Sequence, residues 1–519
     1  MSEEAVITVQ EGTAPRRFAV NVGSNLLMLG LTMLSGIWFT QYLIENLGVA
    51  LYGIVPLALS VTNYMNVINS SLNSSVGRFL TIDLNHGDHL SANRTFNTAL
   101  WLSIVVCLLL LPVVLVVSYL APLFFNVPPG SETAVRFLFV GVMLAYLISI
   151  VRSIFNVSPF AHHRFDLQNA VLATNLIIRV GLAVILFTLL MPTLWFIGVG
   201  SIAGALISTV LAIVIWRYLT PELKIGLHFF DREQLGKLAG MSGWVLVTQV
   251  GALLFLNIDL VVANLRLGAE VTGQYGSVLQ WHIMLRMLAT TATSVLAPII
   301  IAQYAHNNLN KMASLTRRSV KLLGLGLAFP IGIVAGLSHP LLNIWLGPEF
   351  THLALLLTIL VIHLCVNTAV LPLFSVQAAL NRVRIPGIVT LVLGILNLIL
   401  AWWWAPYNSI GIGIALAGAL ILTLKNTIFT PLYGAYIQDL PWHTFLTSLV
   451  PGVLGTLCIT AAAFFIGQYF QIDSWIKIGV VGAIVGLIYG GAAFVIALSK
   501  EDRQFLTRFL PRLVNSQKI

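Results

Sequence analysis

The chain has 519 residues, 58% hydrophobic and only 9% charged. Soluble globular domains carry roughly 25% charged residues, so a chain this apolar lacks a water-soluble surface and belongs in a bilayer. Its 27 Lys+Arg against 18 Asp+Glu leave +9, but these residues sit in loops between apolar runs, as the positive-inside bias demands, and no nucleic-acid partner is indicated.

Residues 1–15 read as a flexible cytoplasmic tail. They carry Glu3, Glu4 and Glu11 and lack the basic start of a cleavable signal peptide. A membrane span takes about 20 apolar residues. On that measure an N-terminal lobe of six helices fills 16–219, with spans near 18–44, 52–78, 95–121, 133–157, 167–191 and 195–218. A cytoplasmic linker follows at 220–237. A second six-helix lobe fills 238–434, with spans near 238–264, 272–300, 318–344, 351–378, 384–405 and 409–434. Two additional spans, near 446–470 and 475–498, occupy 435–499. The tail at 500–519 is short and amphipathic, with Phe505, Leu506, Phe509 and Leu510 between arginines, and is expected to lie along the inner membrane surface. The predicted fold class is therefore an all-α polytopic membrane protein of about fourteen helices.

Loop charge sets the predicted orientation. One side holds Arg94, Arg164, Lys224, Arg232, Arg317, Arg382 and the basic tail, and the other only Arg136, Arg266 and Lys477. This places both termini in the cytoplasm. No loop is long enough to hold a soluble catalytic domain. Cys107, Cys365 and Cys458 each fall inside a span, without a CxxC or a His/Cys cluster, so neither a disulfide framework nor a metal site is indicated.

Two short matches recur about 220 residues apart. ENLGVALYG, ending at Gly53, resembles NLRLGAEVTGQYG, ending at Gly276, and SPFAHHRFD around Arg164 resembles SVQAALNRVR around Arg382. Parallel repeats with a midplane site between them are a transporter arrangement.

Four basic residues fall inside spans: Arg152, Arg179, Arg286 and Lys425. Insertion of the three deeper ones costs ~10 kcal/mol in total, and they outnumber the intramembrane acids. That excess points to binding of an anion, for which the planar donor fork of Arg is suited. Arg152 lies near its helix end, where a side chain reaching to the interface is an equal alternative; Arg78 reads as interfacial. Polar stripes share a helix face at Asn63, Asn66, Ser70 and Asn73, at His282, Arg286, Thr290 and Thr293, and at Asn21, Asn25, Thr32 and Ser35. They would hydrogen-bond a glycan or, alternatively, bond neighbouring helices. Asp259 is expected to be either a coupling site for H⁺ or Na⁺ or a structural partner for another donor, and its depth differs from that of Arg286 by roughly 12 Å. His162 and His163 read as surface residues. No phosphate-binding glycine loop and no hydrolytic acid/base constellation is present, so ATP is not the direct energy source and an enzyme is not expected.

The Leu-Gly…Tyr-Gly turns, the FDREQLGKLAGMSG segment, the acid in NIDLVVANL and the NIWLGPEF motif resemble the polysaccharide-transporter branch of the multidrug/oligosaccharidyl-lipid/polysaccharide exporter superfamily, which contains the O-antigen-type flippases. The resemblance spans about residues 16–500. It implies two six-helix lobes around a central cavity, plus two C-terminal helices, working by alternating access. It implies as substrate an undecaprenyl-pyrophosphate-linked oligosaccharide, moved from the inner to the outer leaflet of the bacterial cytoplasmic membrane for surface-polysaccharide synthesis. Membrane lipids, a polysaccharide polymerase and a chain-length regulator are the implied partners. No cofactor beyond a coupling ion is expected, and a monomer suffices. Family members often follow the acid of the seventh helix with a basic residue, whereas Leu260 follows Asp259 here. A cation-coupled multidrug exporter of the same superfamily is the first alternative, and a membrane-embedded polymerase or acyltransferase the second.

Overall fold

The computed structural model describes residues 14–235, 250–251, 253–255, 257–305, 308–407 and 409–503; within these, the side chains of 14–19, 66–68, 70–75, 78, 82, 85, 298 and 305 are outside the description. The start of the predicted seventh span and the amphipathic tail beyond 503 therefore lie outside the described residues, as does most of the N-terminal tail.

Backbone N–H and C=O groups in a bilayer have no water to bond, so an apolar run must satisfy them within itself, as a helix does. The described residues follow this rule, and no strand occurs among them. In order the spans are α1 (Ala14–Leu47), α2 (Val49–Asn85), α3 (His89–Phe124), α4 (Glu132–Phe155, extended by Val157–Ala161), α5 (Phe165–Leu189) and α6 (Leu194–Leu219). Then come α7 (described from Ile258–Leu267), α8 (Ala269–Ala305), α9 (Leu309–Gly336), α10 (Pro348–Ala379), α11 (Arg384–Trp404), α12 (Ile412–Tyr436), α13 (Thr444–Tyr469) and α14 (Trp475–Ala497). Twelve helices among the described residues are long and apolar enough to cross a membrane. The other two are α2, apolar over Val49–Met65 and polar beyond, and the partly described α7. The chain is an all-α, multi-pass membrane protein.

Several spans depart from simple rods. The predicted helix 318–344 is instead α9 to Gly336 followed by a separate helix, Ser338–Trp345. The predicted helix 351–378 is broken into Ala354–Ile362, Leu364–Asn367 and Leu371–Ala379. Pro372 lacks the N–H that would bond the Thr368 carbonyl, so the chain turns there before resuming. In α12 a π-helical turn, Lys425–Phe429, precedes Thr430–Tyr436, whose Pro431 likewise has no N–H to donate backwards.

The backbone supports the internal repeat. Gly48 and Gly268 both take left-handed conformations, at φ 79° and 91°, in the two Leu-Gly turns. His163 (φ 54°) and Asn381 (φ 53°) do the same, each directly before the arginine of its matched loop. Such φ values are uncommon for residues with a Cβ, so their recurrence at one place in each match is a specific likeness.

The chain divides into two compact units, one within Met1–Val250 and one within Gly251–Leu510. In the first, α6 packs closely on both α4 and α5. A Cβ added at Gly141 would lie 2.4 Å from Gly198 Cα, and one at Gly204 would lie 2.7 Å from the Asn175 carbonyl oxygen. Small residues thus let the backbones touch, which is how helices associate where lipid removes the hydrophobic drive. In the second unit, α9 and α13 form the most extensive helix pair, with Gly452 seated on Gly324 and Gly336 on the Thr460 carbonyl. The segment after α6 is held by α3. Asn93 Nδ2 donates to the Glu222 carbonyl (3.1 Å) and Asn93 Oδ1 accepts from Lys224 N (2.7 Å), while Asn97 brackets Lys224 and Gly226 at 2.8 and 2.9 Å.

Gly141→Val forces α4 and α6 apart. It is expected to destabilise the first unit by at least the ~1–3 kcal/mol of core overpacking, measured as earlier loss of monodisperse protein on heating in detergent; an unchanged transition would refute this packing.

Candidate functional site

In the first unit, the close approach of α5 and α6 across Gly200 and Gly204 fixes the backbone of Arg179 and Asn175. Arg179 lines a small cavity, about 170 Å³, together with Asn63, Tyr146, Arg152, Asn175 and Ser201. Arg152 lines this cavity and bonds a neighbouring helix. Because α4 continues through Val157–Ala161, the residue lies further from the loop than a helix ending at 157 would put it. Its Nη1 donates to Ser208 Oγ at 2.5 Å, and its buried Nε has no acceptor among the described residues. Two guanidinium groups therefore share one polar cavity, and no carboxylate pairs with either among the described residues. The space suits a phosphate-sized anion and is too small for a glycan. Asn63 belongs to this lining, while the side chains of Asn66, Ser70 and Asn73 lie outside the described ones.

The second unit gathers a larger polar network. His282 Nδ1 lies 2.8 Å from the Leu360 carbonyl oxygen, and the His282 and His363 rings stand 5.5 Å apart. His363 Nδ1 is 2.7 Å from Asn367 Nδ2. Asn426 Nδ2 donates to Asn367 Oδ1 (3.0 Å), and Thr430 Oγ1 donates to Asn426 Oδ1 (3.0 Å). Lys425 is buried, with its Nζ 5.3 Å from the centroid of the Phe374 ring. Arg286 lies within electrostatic reach of His282, His363 and Lys425. The π-turn at Lys425–Phe429 turns Lys425 and Asn426 inward together. Again no carboxylate pairs with Arg286 or Lys425 among the described residues.

Asp259 stands apart from these cations. Its Oδ2 accepts a hydrogen bond from Tyr275 Oη at 2.9 Å, and its Oδ1 is buried with no partner among the described residues. Asn397 donates from Nδ2 to the Leu254 carbonyl (3.1 Å), and its own Oδ1 is buried with no partner among the described residues. A Cβ built on Gly418 would sit 3.8 Å from both Asn397 Oδ1 and Asp259 Oδ2, so the two groups converge on one spot beside α12. The first unit has a neutral counterpart, in which Thr40 Oγ1 lies 3.4 Å from Tyr52 Oη.

Other sequence candidates serve packing. Asn21 Nδ2 donates to the His163 carbonyl (2.8 Å) and Asn25 Oδ1 accepts from Asn169 (2.6 Å), which ties α1 to α5 and its preceding loop. Thr32 and Ser35 bond back to the carbonyls of their own helix. On α8, Thr293 is buried and bonded to Ala289, whereas Thr290 is exposed. His363, Asn367, Asn426, Asn397 and Tyr275 were not predicted as site residues. The His363/Asn367 pair, four apart in an otherwise apolar run, was the signal available in the sequence.

A family model described as "Polysaccharide biosynthesis protein" matches residues 18–305. The chain belongs to that family. A relative from Bacillus subtilis (strain 168), "Uncharacterized membrane protein EpsK", is 34% identical over 497 residues, covering 95% of this chain and 98% of its own. Solved structures share the fold at low identity. A structure of the lipid II flippase MurJ in an inward closed conformation has a TM-score of 0.58 at 15% identity, covering 91% of this chain and 98% of its own. An inward-facing multidrug resistance MATE family transporter of the MOP superfamily also scores 0.58, at 14% identity over 85% of this chain and 98% of its own. The chain therefore shares the fold of these MurJ and MATE structures.

Removing the hydroxyl in Tyr275→Phe leaves Asp259 without its donor. The loss is expected to be about 1–3 kcal/mol, the usual cost of a buried unsatisfied group. It should shrink when Asp259→Asn is already present, as a double-mutant cycle of thermal unfolding in detergent would measure.

Proposed function

We propose that the protein is a flippase that moves an undecaprenyl-pyrophosphate-linked oligosaccharide from the inner to the outer leaflet of the bacterial cytoplasmic membrane, for surface-polysaccharide synthesis. The observation that carries the reading is the set of intramembrane cations without carboxylate partners among the described residues, Arg152 with Arg179 and Arg286 with Lys425. Burying a charge alone is costly, and a doubly anionic pyrophosphate supplies the missing counter-charge at the moment of binding. Guanidinium groups give it directed, bidentate hydrogen bonds. Around Arg286 and Lys425, amide, hydroxyl and imidazole groups (Asn367, Asn426, Thr430, His282 and His363) supply donors and acceptors for sugar hydroxyls. The polyprenyl tail needs no polar site, because it stays in lipid.

The fold is shared equally with a lipid II flippase and a multidrug transporter; the polysaccharide biosynthesis family and the basic groups inside the spans support this class of cargo over a cationic drug, which would call for acids in place of arginines. The work is transport and leaves the cargo chemically unchanged. The Asp259 carboxylate, bonded through Oδ2 to Tyr275, and the Asn397 Oδ1, without a partner among the described residues, converge beside Gly418, and we assign the coupling ion, H⁺ or Na⁺, to this oxygen pair. A monomer contains all of these groups. A polymerase and a chain-length regulator would act on the delivered units.

Purified protein is expected to bind polyprenyl-pyrophosphate oligosaccharide, measured by native mass spectrometry, and Arg179→Ala/Arg286→Ala is expected to weaken binding at least tenfold. Stabilisation by cationic drugs, with no binding of the lipid-linked sugar, would overturn the reading. Asp259→Asn is expected to bind the cargo normally while losing gradient-driven flipping in proteoliposomes. Normal flipping by this variant across imposed H⁺ and Na⁺ gradients would remove Asp259 from coupling.

A further inference from the structure

A cleft of about 920 Å³ lies in the second unit between α9, α13 and α14, away from the polar network around Arg286. Its walls are apolar, with Leu325, Val450, Pro451, Leu454 and Ile496 among them. Val450, Leu454 and Ile496 leave 51%, 56% and 84% of their surfaces open, so the slot faces sideways to the surrounding lipid. Its deep end is closed by Tyr489, whose Oη donates to the Leu325 carbonyl at 2.8 Å. A Cβ at Gly455 would lie 2.8 Å from that oxygen, so glycine makes room for the ring.

The other end is ionic. Arg317, Arg318, Lys321 and Lys500 line it with Glu501 and Asp502, four cations against two acids. The end of α14 produces this arrangement. After the π-turn Ala493–Ala497 the backbone becomes extended at Leu498. Ser499 and Asp502 then cap one another, Ser499 N to Asp502 Oδ2 and Asp502 N to Ser499 Oγ, both 3.1 Å. The turn swings residues 499–502 over the mouth of the slot.

Both acids are already engaged. Glu501 pairs with Arg318, and Asp502 is buried and pairs with Lys321 Nζ at 2.7 Å. Burial acts to raise the Asp502 carboxyl, but the bonds from Lys321 and Ser499 outweigh it and hold it below the usual carboxylate range. Arg317 and Lys500 are exposed and have no carboxylate partner among the described residues. What remains is an apolar, laterally open slot with two uncommitted cations at one end.

We propose that this cleft binds an acidic phospholipid of the surrounding bilayer, its phosphodiester held by Arg317 and Lys500 and one acyl chain lying against Val450, Leu454 and Ile496. Basic pockets between spans favour such headgroups. The two acids facing the mouth are spent on Arg318 and Lys321, so a choline or ethanolamine headgroup gains nothing there. The site is separate from the cargo cations and does not depend on the transport reading.

The test is lipid retention by the full-length protein, released from nanodiscs of equal phosphatidylglycerol and phosphatidylcholine and counted by native mass spectrometry. Wild type is expected to keep phosphatidylglycerol at least tenfold over phosphatidylcholine. Arg317→Gln/Lys500→Gln is expected to abolish that preference, and Arg317→Lys/Lys500→Arg to restore it. Leu454→Trp, which fills the slot without changing charge, is expected to lower retention of phosphatidylglycerol. Equal retention of both lipids by wild type would overturn the proposal, as would a preference untouched by the Gln variant. Displacement of the lipid by soluble glycerophosphate at similar concentration would also overturn it, reducing the site to a headgroup-only anion site.

Discussion

A charge inside a bilayer must find its counter-charge within the protein or receive it from a ligand. Nearly every unusual feature of this chain answers to that constraint. At roughly 2.5–3.5 kcal/mol per basic residue at mid-span, Arg179, Arg286 and Lys425 would be eliminated from a purely structural bundle or matched with acids. Among the described residues they are neither, and Asp259, the acid read within a span, bonds a tyrosine instead. Glycine contacts on α4, α5 and α6, and between α9 and α13, supply cohesion without drawing on polar groups.

The fold was largely legible in the sequence, because spans announce themselves by length and apolarity and the repeat by its turns. The expected helix 318–344 was misplaced because average hydropathy ignores where a backbone breaks; Gly336 and the Ser338-His339-Pro340 that follows Leu337 are the local signals of the stop. The site was legible in part. Arg179 and Arg286 could be found as charges out of place. Arg152 was ambiguous because the short helix Val157–Ala161, which deepens it, looked like loop. The partnership of His363, Asn367 and Asn426 depends on a broken α10 meeting a π-turn in α12, and no periodicity encodes such a meeting. Asn21 and Asn25 show the converse. Their stripe resembled a cavity lining, but it stitches helices together.

The irregular turns are local events with a shared cause. Pro372 and Pro431 each withhold one N–H, and in both places the chain resumes as helix after placing polar side chains inward. A regular α-helix would have presented Lys425 and Asn426 about 100° apart around its axis. The wider π-turn narrows that angle and lets both be buried.

The paired tyrosines carry a historical consequence. Tyr52 and Tyr275 occupy matched turns, one beside Thr40 and the other beside Asp259. If the halves descend from one duplicated ancestor, the hydroxyl–hydroxyl contact is the state that any copy can carry without a partner ion, and the carboxylate is the specialised one. Exchange of genetic material between the halves would then be tolerated in the packing glycines but not here.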